Sequence, residues 1–305
     1  MKRLVLIDTA NFLHRAFYAF PMQLTTSDGQ IINAVYGFAS MLISLVKEFE
    51  PTHLACALES EKEIVFREIE FPDYKATRVP KSPEEQAAYE SQIPLLGEFL
   101  EAAGIKTLKS EGYEADDVIG TVAVGTKGKA ETIIVSNDRD LTQLIDGASR
   151  FYLPAVGKGK AKLYGKKEFL EEYGFTPGKL VEYKALRGDP SDNIPGVRGI
   201  GDKTATKLVK EYGTLRNIYK NILDIAPAVA EKLADGKDDA FLSRKLVTIV
   251  TDAPLEFELK DLEFKGLDNP KVVELFEKWG FKSLLGKLGV SQEEGKEEKS
   301  QLKLL

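Results

Sequence analysis

The chain has 305 residues, enough for one large domain or two, and 43% of them are hydrophobic, which is enough for a substantial core. A single cysteine, Cys56, excludes an internal disulfide, and the presence of only two histidines disfavours a histidine-based zinc site or a Ser-His-Asp triad. The formal net charge of −6 argues at first against a nucleic-acid partner.

Neither a membrane span nor a signal peptide is predicted. No apolar run approaches the roughly 18 residues that a membrane span needs. The N-terminus begins as a strand rather than as a charged and then apolar leader. We therefore expect a cytoplasmic protein without a membrane partner.

The first half of the chain alternates between strands and helices. Residues 2–8 form an apolar run that predicts a strand buried on both faces. Residues 33–49 carry apolar side chains at helical spacing, and residues 53–58 and 132–135 predict two more strands. Strands that alternate with helices favour βαβ units, so we expect an α/β fold around a mainly parallel sheet.

A polar, proline-rich segment at residues 72–94 interrupts this pattern. Within it, Ser82-Pro83-Glu84-Glu85 predicts a helix start, with a capping serine, a proline in the first turn and a glutamate three residues on. A polar insertion between core elements is a candidate arch or lid, which we place at about residues 72–100. A solvated connection is the alternative.

Helical signals dominate after about residue 175. Thr176-Pro177 predicts one helix start, and Asp202 is expected to cap a later helix that runs to Gly213. Between them, the glycines of residues 195–201 allow positive φ and close backbone approach. The helix that follows would present free amide groups at its N-terminus, which suits phosphate binding. Three lysines on this helix add positive charge: Lys203, Lys207 and Lys210.

The C-terminal part divides into a helical and a polar segment. Residues 270–288 have the apolar pattern of a closing pair of amphipathic helices. Residues 291–300 are polar and charged without periodicity, and we expect them to be disordered. The predicted organisation is an α/β domain at residues 1–175, a helical region at 176–290 and a tail at 291–305.

Eight acids stand where a hydrophobic core would not place them, and several follow strand-like runs. They are Asp8, Glu114, Asp116, Asp117, Asp138, Asp140, Asp189 and Asp192. Open α/β sheets bind ligands at the carboxyl ends of their strands, and many carboxylates in one pocket repel each other. Divalent cations would relieve that repulsion, and an all-oxygen site suits magnesium or manganese. Setting these acids aside leaves −6 + 8 = +2, so the remaining surface can be locally basic.

Three segments carry a resemblance to a known family: residues 112–117, 136–141 and 188–205. They resemble the bacterial 5′-nuclease family, which includes the 5′→3′ exonuclease domain of DNA polymerase I and, more distantly, the flap endonucleases. The resemblance extends over about residues 2–290. It implies a PIN-like sheet, a helical arch and a C-terminal helix-hairpin-helix DNA-binding domain. No polymerase domain follows, so a stand-alone enzyme is expected, and we separately expect a monomer.

The resemblance also assigns roles to particular residues. It makes all eight acids metal ligands, and it places the family's catalytic lysine and arginine on Lys75 and Arg78 of the arch. A further family aspartate, which follows the second strand before the pair Phe66-Arg67, falls on Glu59 if one residue is inserted or on Ser60 without a gap. In the helix-hairpin-helix, which often holds a potassium ion, the DNA-binding residues are Gly196, Gly199, Gly201, Lys203, Thr204 and Lys207.

The activity that the resemblance implies is hydrolysis of phosphodiesters with two or more divalent ions. Expected substrates are 5′ flaps, nicked or gapped DNA and RNA primers paired to DNA, as in primer removal and DNA repair. A catalytically weakened DNA-binding member of the fold and a PIN-type ribonuclease are the alternatives. The tail resembles the short motif that docks bacterial proteins into the sliding clamp, and its candidate contacts are Gln301, Leu302, Leu304 and Leu305.

Overall fold

A six-stranded sheet is the central element of the computed structural model, which describes residues 2–60, 65–155 and 159–290. The strands are β1 (Arg3–Asp8), β2 (His53–Ala57), β3 (Lys106–Leu108), β4 (Glu131–Val135), β5 (Ser149–Leu153) and β6 (Lys162–Tyr164). Their spatial order is β3-β2-β1-β4-β5-β6. Strand β1 is parallel to β2 and to β4, and β4 is parallel to β5. Among the described pairings, only that of β5 with β6 is antiparallel. The mainly parallel sheet is thereby confirmed.

The register of the three middle strands aligns their carboxyl ends. Ile7 lies opposite Cys56 of β2 and Val135 of β4, and all three side chains are fully buried. Strands buried on both faces read as continuous apolar runs, which is why β1 and β4 were predictable. Polar residues that follow these strands must therefore meet at one edge of the sheet.

The helices fill the rest of the fold. In chain order they are α1 (Thr9–Ala19), α2 (Asn33–Phe49), α3 (Phe66–Glu70), α4 (Pro83–Glu90), α5 (Ile93–Ala102), α6 (Ala115–Gly125), α7 (Lys166–Tyr173), α8 (Leu180–Arg187), α9 (Asp202–Tyr212), α10 (Leu215–Lys220), α11 (Pro227–Asp235), α12 (Lys237–Val247), α13 (Pro270–Lys278) and α14 (Lys282–Leu288). Short 3₁₀ helices span Arg139–Leu144, Pro177–Lys179, Ile222–Asp224 and Leu259–Leu262. Across the described ranges, no helix is both long and apolar enough to cross a membrane.

Two compact units divide the chain. The first contains the described residues of 1–12, 51–81 and 107–263, and its core joins the sheet to α6 and to helices α7–α10. The second contains those of 13–50, 82–106 and 264–305. In the second unit α5 packs on α13, where the rings of Phe99 and Phe276 stack with centroids 5.5 Å apart. The candidate arch at 72–100 is split between the units, and the predicted domain boundaries stay a prediction.

Several local predictions are confirmed. Helix α2 has the predicted bounds, and Ser82 and Glu85 form a reciprocal capping box at the start of α4. Helices α13 and α14 are the expected closing pair, with Trp279 between them only 3% exposed. The expected cap at Asp202 is wrong: Gly201 is the N-cap of α9, and the Asp202 carboxylate instead accepts hydrogen bonds from Arg187 and Tyr183. The polar tail and its Gln301–Leu305 motif lie outside the described residues.

Candidate active site

Acids from three neighbouring strands meet at the carboxyl edge of the sheet. Asp8 ends β1, and it accepts hydrogen bonds from the Asn11 amide at 3.1 Å and the Ser136 hydroxyl at 2.7 Å. The same Ser136 hydroxyl accepts a bond from the Asp138 amide at 2.9 Å, so the serine links the ends of β1 and β4. Glu59 follows β2 by two residues. The strand order therefore gathers Asp8, Glu59 and Asp138, as expected for an open α/β sheet.

The N-terminus of α6 adds two acids to this edge. Glu114 is the N-cap residue of the helix, and Asp116 lies in its first turn, where the helix dipole favours negative charge. The Glu59 carboxylate accepts a hydrogen bond from the Ala115 amide at 3.2 Å. Glu59 thus directs a side-chain oxygen toward the N-terminus of α6. We call Asp8, Glu59, Glu114, Asp116 and Asp138 the inner cluster.

Burial, with repulsion between neighbouring carboxylates, raises the pKa of three acids of the inner cluster: Asp8, Glu59 and Asp116. Burial raises the pKa of Asp8 to about 7, helped by repulsion from Glu59 and Asp138. Burial, then Asp138, Asp8 and Glu114, raises the pKa of Asp116 well above its usual value. Burial and Glu114 also raise the pKa of Glu59. Within the described part of the chain, no side chain donates a hydrogen bond or forms an ion pair with Asp116.

A second group of acids lines an adjoining open cleft of about 340 Å³, together with Asp138. Its members, the outer cluster, are Asp140, Asp189 and Asp192. The Lys184 ammonium of α8 binds Asp140 and, at 2.6 Å, Asp189. Burial raises the pKa of Asp140 to about 6 despite this lysine. Burial acts in the same direction on Asp189, but Lys184 and Ser191 outweigh it and lower the Asp189 pKa.

The two candidate catalytic cations reach these clusters from the turn at residues 73–78. The Lys75 ammonium pairs with Glu114, and the Arg78 guanidinium with Asp192 at 2.6 Å. Burial alone would lower the Lys75 pKa, but Glu114 outweighs burial and raises it, so the side chain is cationic at neutral pH. The Tyr74 hydroxyl adds a hydrogen bond to Glu114 at 3.2 Å. The cations implied by the resemblance therefore lie beside the acids.

Asp117 occupies a different environment from the other acids. Its fully buried carboxylate accepts bonds from both terminal nitrogens of Arg67, at 2.7 and 2.8 Å, and from the amides of Glu114 and Val250. Arg67 in turn donates to Glu114 at 2.9 Å. Since each Asp117 oxygen already accepts two hydrogen bonds, none of its lone pairs is left for a metal ion. The structure thus revises the expectation for Asp117, which fixes the start of α6 rather than facing the cluster.

The remaining acids are of the right chemical type for a divalent metal site, but their side chains now lie too far apart to share one ion. Among the described residues, no three side chains of the metal-ligating types are close enough to hold one ion as they stand. The Lys184 ammonium instead lies between Asp140 and Asp189, and the Lys75 ammonium pairs with Glu114. Carboxylates with raised pKa values, among them the unpaired Asp116, are nevertheless an oxygen donor set for Mg²⁺ or Mn²⁺.

The glycine-rich hairpin before α9 depends on close backbone approach at one point. Gly196 has φ 62°, and a Cβ there would lie 2.2 Å from the backbone nitrogen of Gly188. Gly199 also has positive φ, whereas Gly201 has an ordinary φ and open space around its Cα. Lys203, Lys207 and Lys210 line one open face of α9, no side chain caps the helix, and Thr204 lies in its first turn. This arrangement offers amides and cations to a phosphate backbone.

Sequence reasoning missed two cations that pair with these acids, Arg67 and Lys184. Arg67 was noted only as part of a Phe-Arg pair, and Lys184 was not singled out. Arg67 meets Glu114 and Asp117, which are 47 and 50 residues away in the chain. No periodicity signals a partner at that separation. The spacing of Lys184, five residues before Asp189 across the end of α8, was the one local signal available.

Comparison with protein families gives two adjoining matches. Residues 3–174 match the model described as 5′-3′ exonuclease, N-terminal resolvase-like domain. Residues 175–270 match the model described as 5′-3′ exonuclease, C-terminal SAM fold. Together they extend over most of the chain.

Curated relatives are bacterial DNA polymerases I. That of Bacillus subtilis (strain 168) is 38% identical over 301 residues, covering 98% of this chain and 34% of the relative. That of Bacillus caldotenax is 42% identical over 289 residues, covering 94% and 32%. The chain thus spans about a third of the length of these relatives.

Solved structures share the fold at low sequence identity. The bacteriophage T5 5′-exonuclease, solved with divalent zinc ions bound, has a TM-score of 0.67 and 20% identity, with 94% of this chain and 97% of the other covered. The catalytic core of Rad2 in complex with a DNA substrate has a TM-score of 0.61 and 15% identity, with 94% and 92% covered. These matches support the α/β sheet with an appended helical region.

Proposed function

Because the chain belongs to the 5′-3′ exonuclease family, we propose that it is a metal-dependent, structure-specific 5′-nuclease. Its substrates would be DNA with 5′ flaps, nicks or gaps and RNA primers paired to DNA, as in primer removal and DNA repair. The observation that carries the proposal is a group of acids with raised pKa values in the inner cluster, with Lys75 paired to Glu114 of that cluster and Arg78 paired to Asp192 of the outer cluster.

Four acids of the inner cluster are our candidates to hold one divalent ion: Asp8, Glu114, Asp116 and Asp138. Glu59 would assist through its contact at the start of α6. The outer cluster of Asp140, Asp189 and Asp192 would hold the second ion. Bound Mg²⁺ or Mn²⁺ would supply a water of lowered pKa and positive charge at the leaving oxygen. The metal-bound T5 5′-exonuclease, which shares this fold, supports the use of divalent ions.

Lys75 and Arg78 would bind the scissile phosphate. Ion binding at Glu114 and Asp192 would release both cations from their present partners, because an ion competes for the same carboxylate oxygens. Each cation could then turn to the phosphate, whose negative charge concentrates as attack proceeds. The arginine can make two parallel hydrogen bonds to phosphate oxygens, and the lysine acts as a point charge.

The hairpin and α9 would hold the duplex by its backbone. Amides at the start of α9 and the side chains of Lys203, Thr204 and Lys207 reach phosphates without reading bases. Gly196, Gly199 and Gly201 would let the backbone approach closely, and a potassium ion could join the hairpin to a phosphate. Substrate choice would then follow from DNA shape. The Rad2 core solved with a DNA substrate, which shares the fold, supports a DNA partner.

Cleavage of a 5′-labelled flap in Mg²⁺ tests the proposal. The unaltered protein should release short 5′ fragments, and EDTA should stop the release. Asp116→Asn should lower the rate by at least about a hundredfold, since it removes the charge of the inner-cluster acid that no described side chain binds. Asp239→Asn, which removes an exposed acid from α12, should cleave normally. Absence of Mg²⁺-dependent cleavage by the unaltered protein would favour a non-catalytic DNA-binding member of the fold.

A parallel substrate comparison separates the PIN-type ribonuclease alternative. A ribonuclease of that class would cut single-stranded RNA and bind duplex DNA weakly. The basic face of α9 instead predicts duplex binding with a steep dependence on salt. Cleavage of single-stranded RNA in preference to the flap would contradict our assignment.

A sliding clamp is the protein partner that we propose through the tail. Gln301, Leu302, Leu304 and Leu305 would dock into an apolar groove and raise the local concentration of the enzyme at nicks. Deletion of residues 301–305 should abolish clamp capture and leave basal flap cleavage intact. Unchanged capture would refute the proposal.

A further inference from the structure

The turn that carries Lys75 and Arg78 rests on the turn that carries Asp192. The backbone amide of Lys75 donates to the Asp192 carbonyl at 2.9 Å. The Asn193 side-chain amide donates to the Asp73 carbonyl at 2.7 Å. Arg78 adds its ion pair with the Asp192 carboxylate. Three contacts of different kinds therefore join residues 73–78 to residues that adjoin the hairpin.

Backbone conformation shows that this junction is constrained. Lys75 has φ 59° and Asn193 has φ 58°, and among the described residues only Glu50 is a third non-glycine residue with positive φ. Asparagine tolerates the left-handed region, but lysine rarely adopts it. Lys75 must therefore be held in place by its surroundings. The buried Tyr74 and Ile194 side chains belong to one small apolar cluster, which packs the two turns together.

We propose that Asn193 is a positioning residue: its side-chain amide holds the turn at residues 73–78, and with it Lys75, in the active geometry. The inference rests on the proposed nuclease function and adds a residue that acts on catalysis only through the turn that carries Lys75 and Arg78. This contact, which we call the Asn193 clip, also links the glycine-rich hairpin to the turn that carries Lys75 and Arg78. A duplex bound at the hairpin would steady the 189–194 turn and, through Asn193, the cation at the scissile phosphate.

Two substitutions separate the side-chain amide from the backbone conformation. Asn193→Asp keeps the size and the tolerance of positive φ, but it places an acceptor against the Asp73 carbonyl. Asn193→Gly keeps positive φ at no steric cost and removes the amide altogether. Asn221→Asp is the matched control, because the half-buried Asn221, like Asn193, donates its side-chain amide to a backbone carbonyl at 2.7 Å.

Single-turnover flap cleavage in Mg²⁺ is the first measurement. Both Asn193 variants should cleave about three- to tenfold more slowly, the range that one neutral hydrogen bond is worth. Their affinity for flap DNA in EDTA should stay within about twofold, and Asn221→Asp should match the unaltered protein. In a background that carries both Lys75→Ala and Arg78→Ala, Asn193→Asp should cause no further loss, because both cations that the turn positions are gone. An equal loss in both backgrounds, or full activity of Asn193→Gly, would overturn the inference.

Limited trypsin digestion tests the clip without any cleavage activity. Trypsin can cut after Lys75 and after Arg78, and docking of the turn should protect both bonds. Asn193→Asp should be cut there several times faster than the unaltered protein and Asn221→Asp, as followed by mass spectrometry. Unchanged cutting would refute the clip even if the nuclease proposal held. Faster cutting in a protein that does not cleave DNA would keep the contact and refute the proposed function alone.

Discussion

Replacing Arg67 with methionine should destabilise the protein far more than the loss of an ordinary ion pair. The Arg67 side chain is 3% exposed and donates to Glu114, to both oxygens of Asp117 and to the carbonyls of Leu246 and Thr248. Arg67→Met would leave the fully buried Asp117 carboxylate with only two backbone amides. Removing one partner of a buried pair costs about 3–5 kcal/mol, because the other charge stays uncompensated.

Urea denaturation in EDTA, followed by circular dichroism, measures this cost. The matched control is Lys245→Met, which removes the same kind of charge from an exposed pair: Lys245 and Glu70 lie 2.6 Å apart with side chains 53% and 41% exposed. That variant should lose at most about 1 kcal/mol. Adding Asp117→Leu to Arg67→Met should recover part of the loss, since no buried charge remains. If Arg67→Met lost no more than Lys245→Met, our account of the α6 N-terminus would be wrong.

Two further predictions concern the acids Asp8 and Asp140 and the close backbone contact at Gly196. Because the folded-state pKa values of Asp8 and Asp140 are raised to about 7 and about 6, ionisation of these acids in the unfolded chain should make the metal-free protein less stable as pH rises from about 4 to 7. Added Mg²⁺ should therefore raise Tm more at pH 8 than at pH 5, and an equal gain would contradict the assignment. Gly196→Ala should lower Tm by several degrees because its Cβ would meet backbone at 2.2 Å, whereas Gly201→Ala should leave Tm unchanged; equal Tm values for the two variants would refute this reading of the hairpin.

The parts of the fold that sequence predicted are those with strong periodic patterns. Strands β1 and β4 are continuous apolar runs, and α2 has apolar residues at helical spacing over 17 residues. Strand β3 has three residues, two of them exposed, and β6 is equally short. Such segments carry too few buried positions to produce a pattern. Tertiary pairing, which a single sequence does not display, decides them.

The candidate site was predictable in its acids and in Lys75 and Arg78, but not in the buried Arg67 or in Lys184. Asp8 and Asp138 follow predictable strands, so their convergence followed from the topology of a parallel sheet. The different environments of the individual acids did not follow from that topology. Asp116 and Asp117 are adjacent on α6, yet one has no partner among the described side chains and the other is saturated by Arg67. Which acid receives a buried arginine depends on packing that residue type and spacing do not encode.

Manganese soaked into crystals tests the central claim most directly, because the metal scatters anomalously. We predict anomalous density among the carboxylates of Asp8, Glu114, Asp116 and Asp138, with Lys75 displaced from Glu114 and Asp117 still bound to Arg67. A second peak should lie among the acids of the outer cluster. Crystals that show no manganese at the inner cluster, with Lys75 still paired to Glu114, would contradict the proposal that these acids form the metal centre of a nuclease.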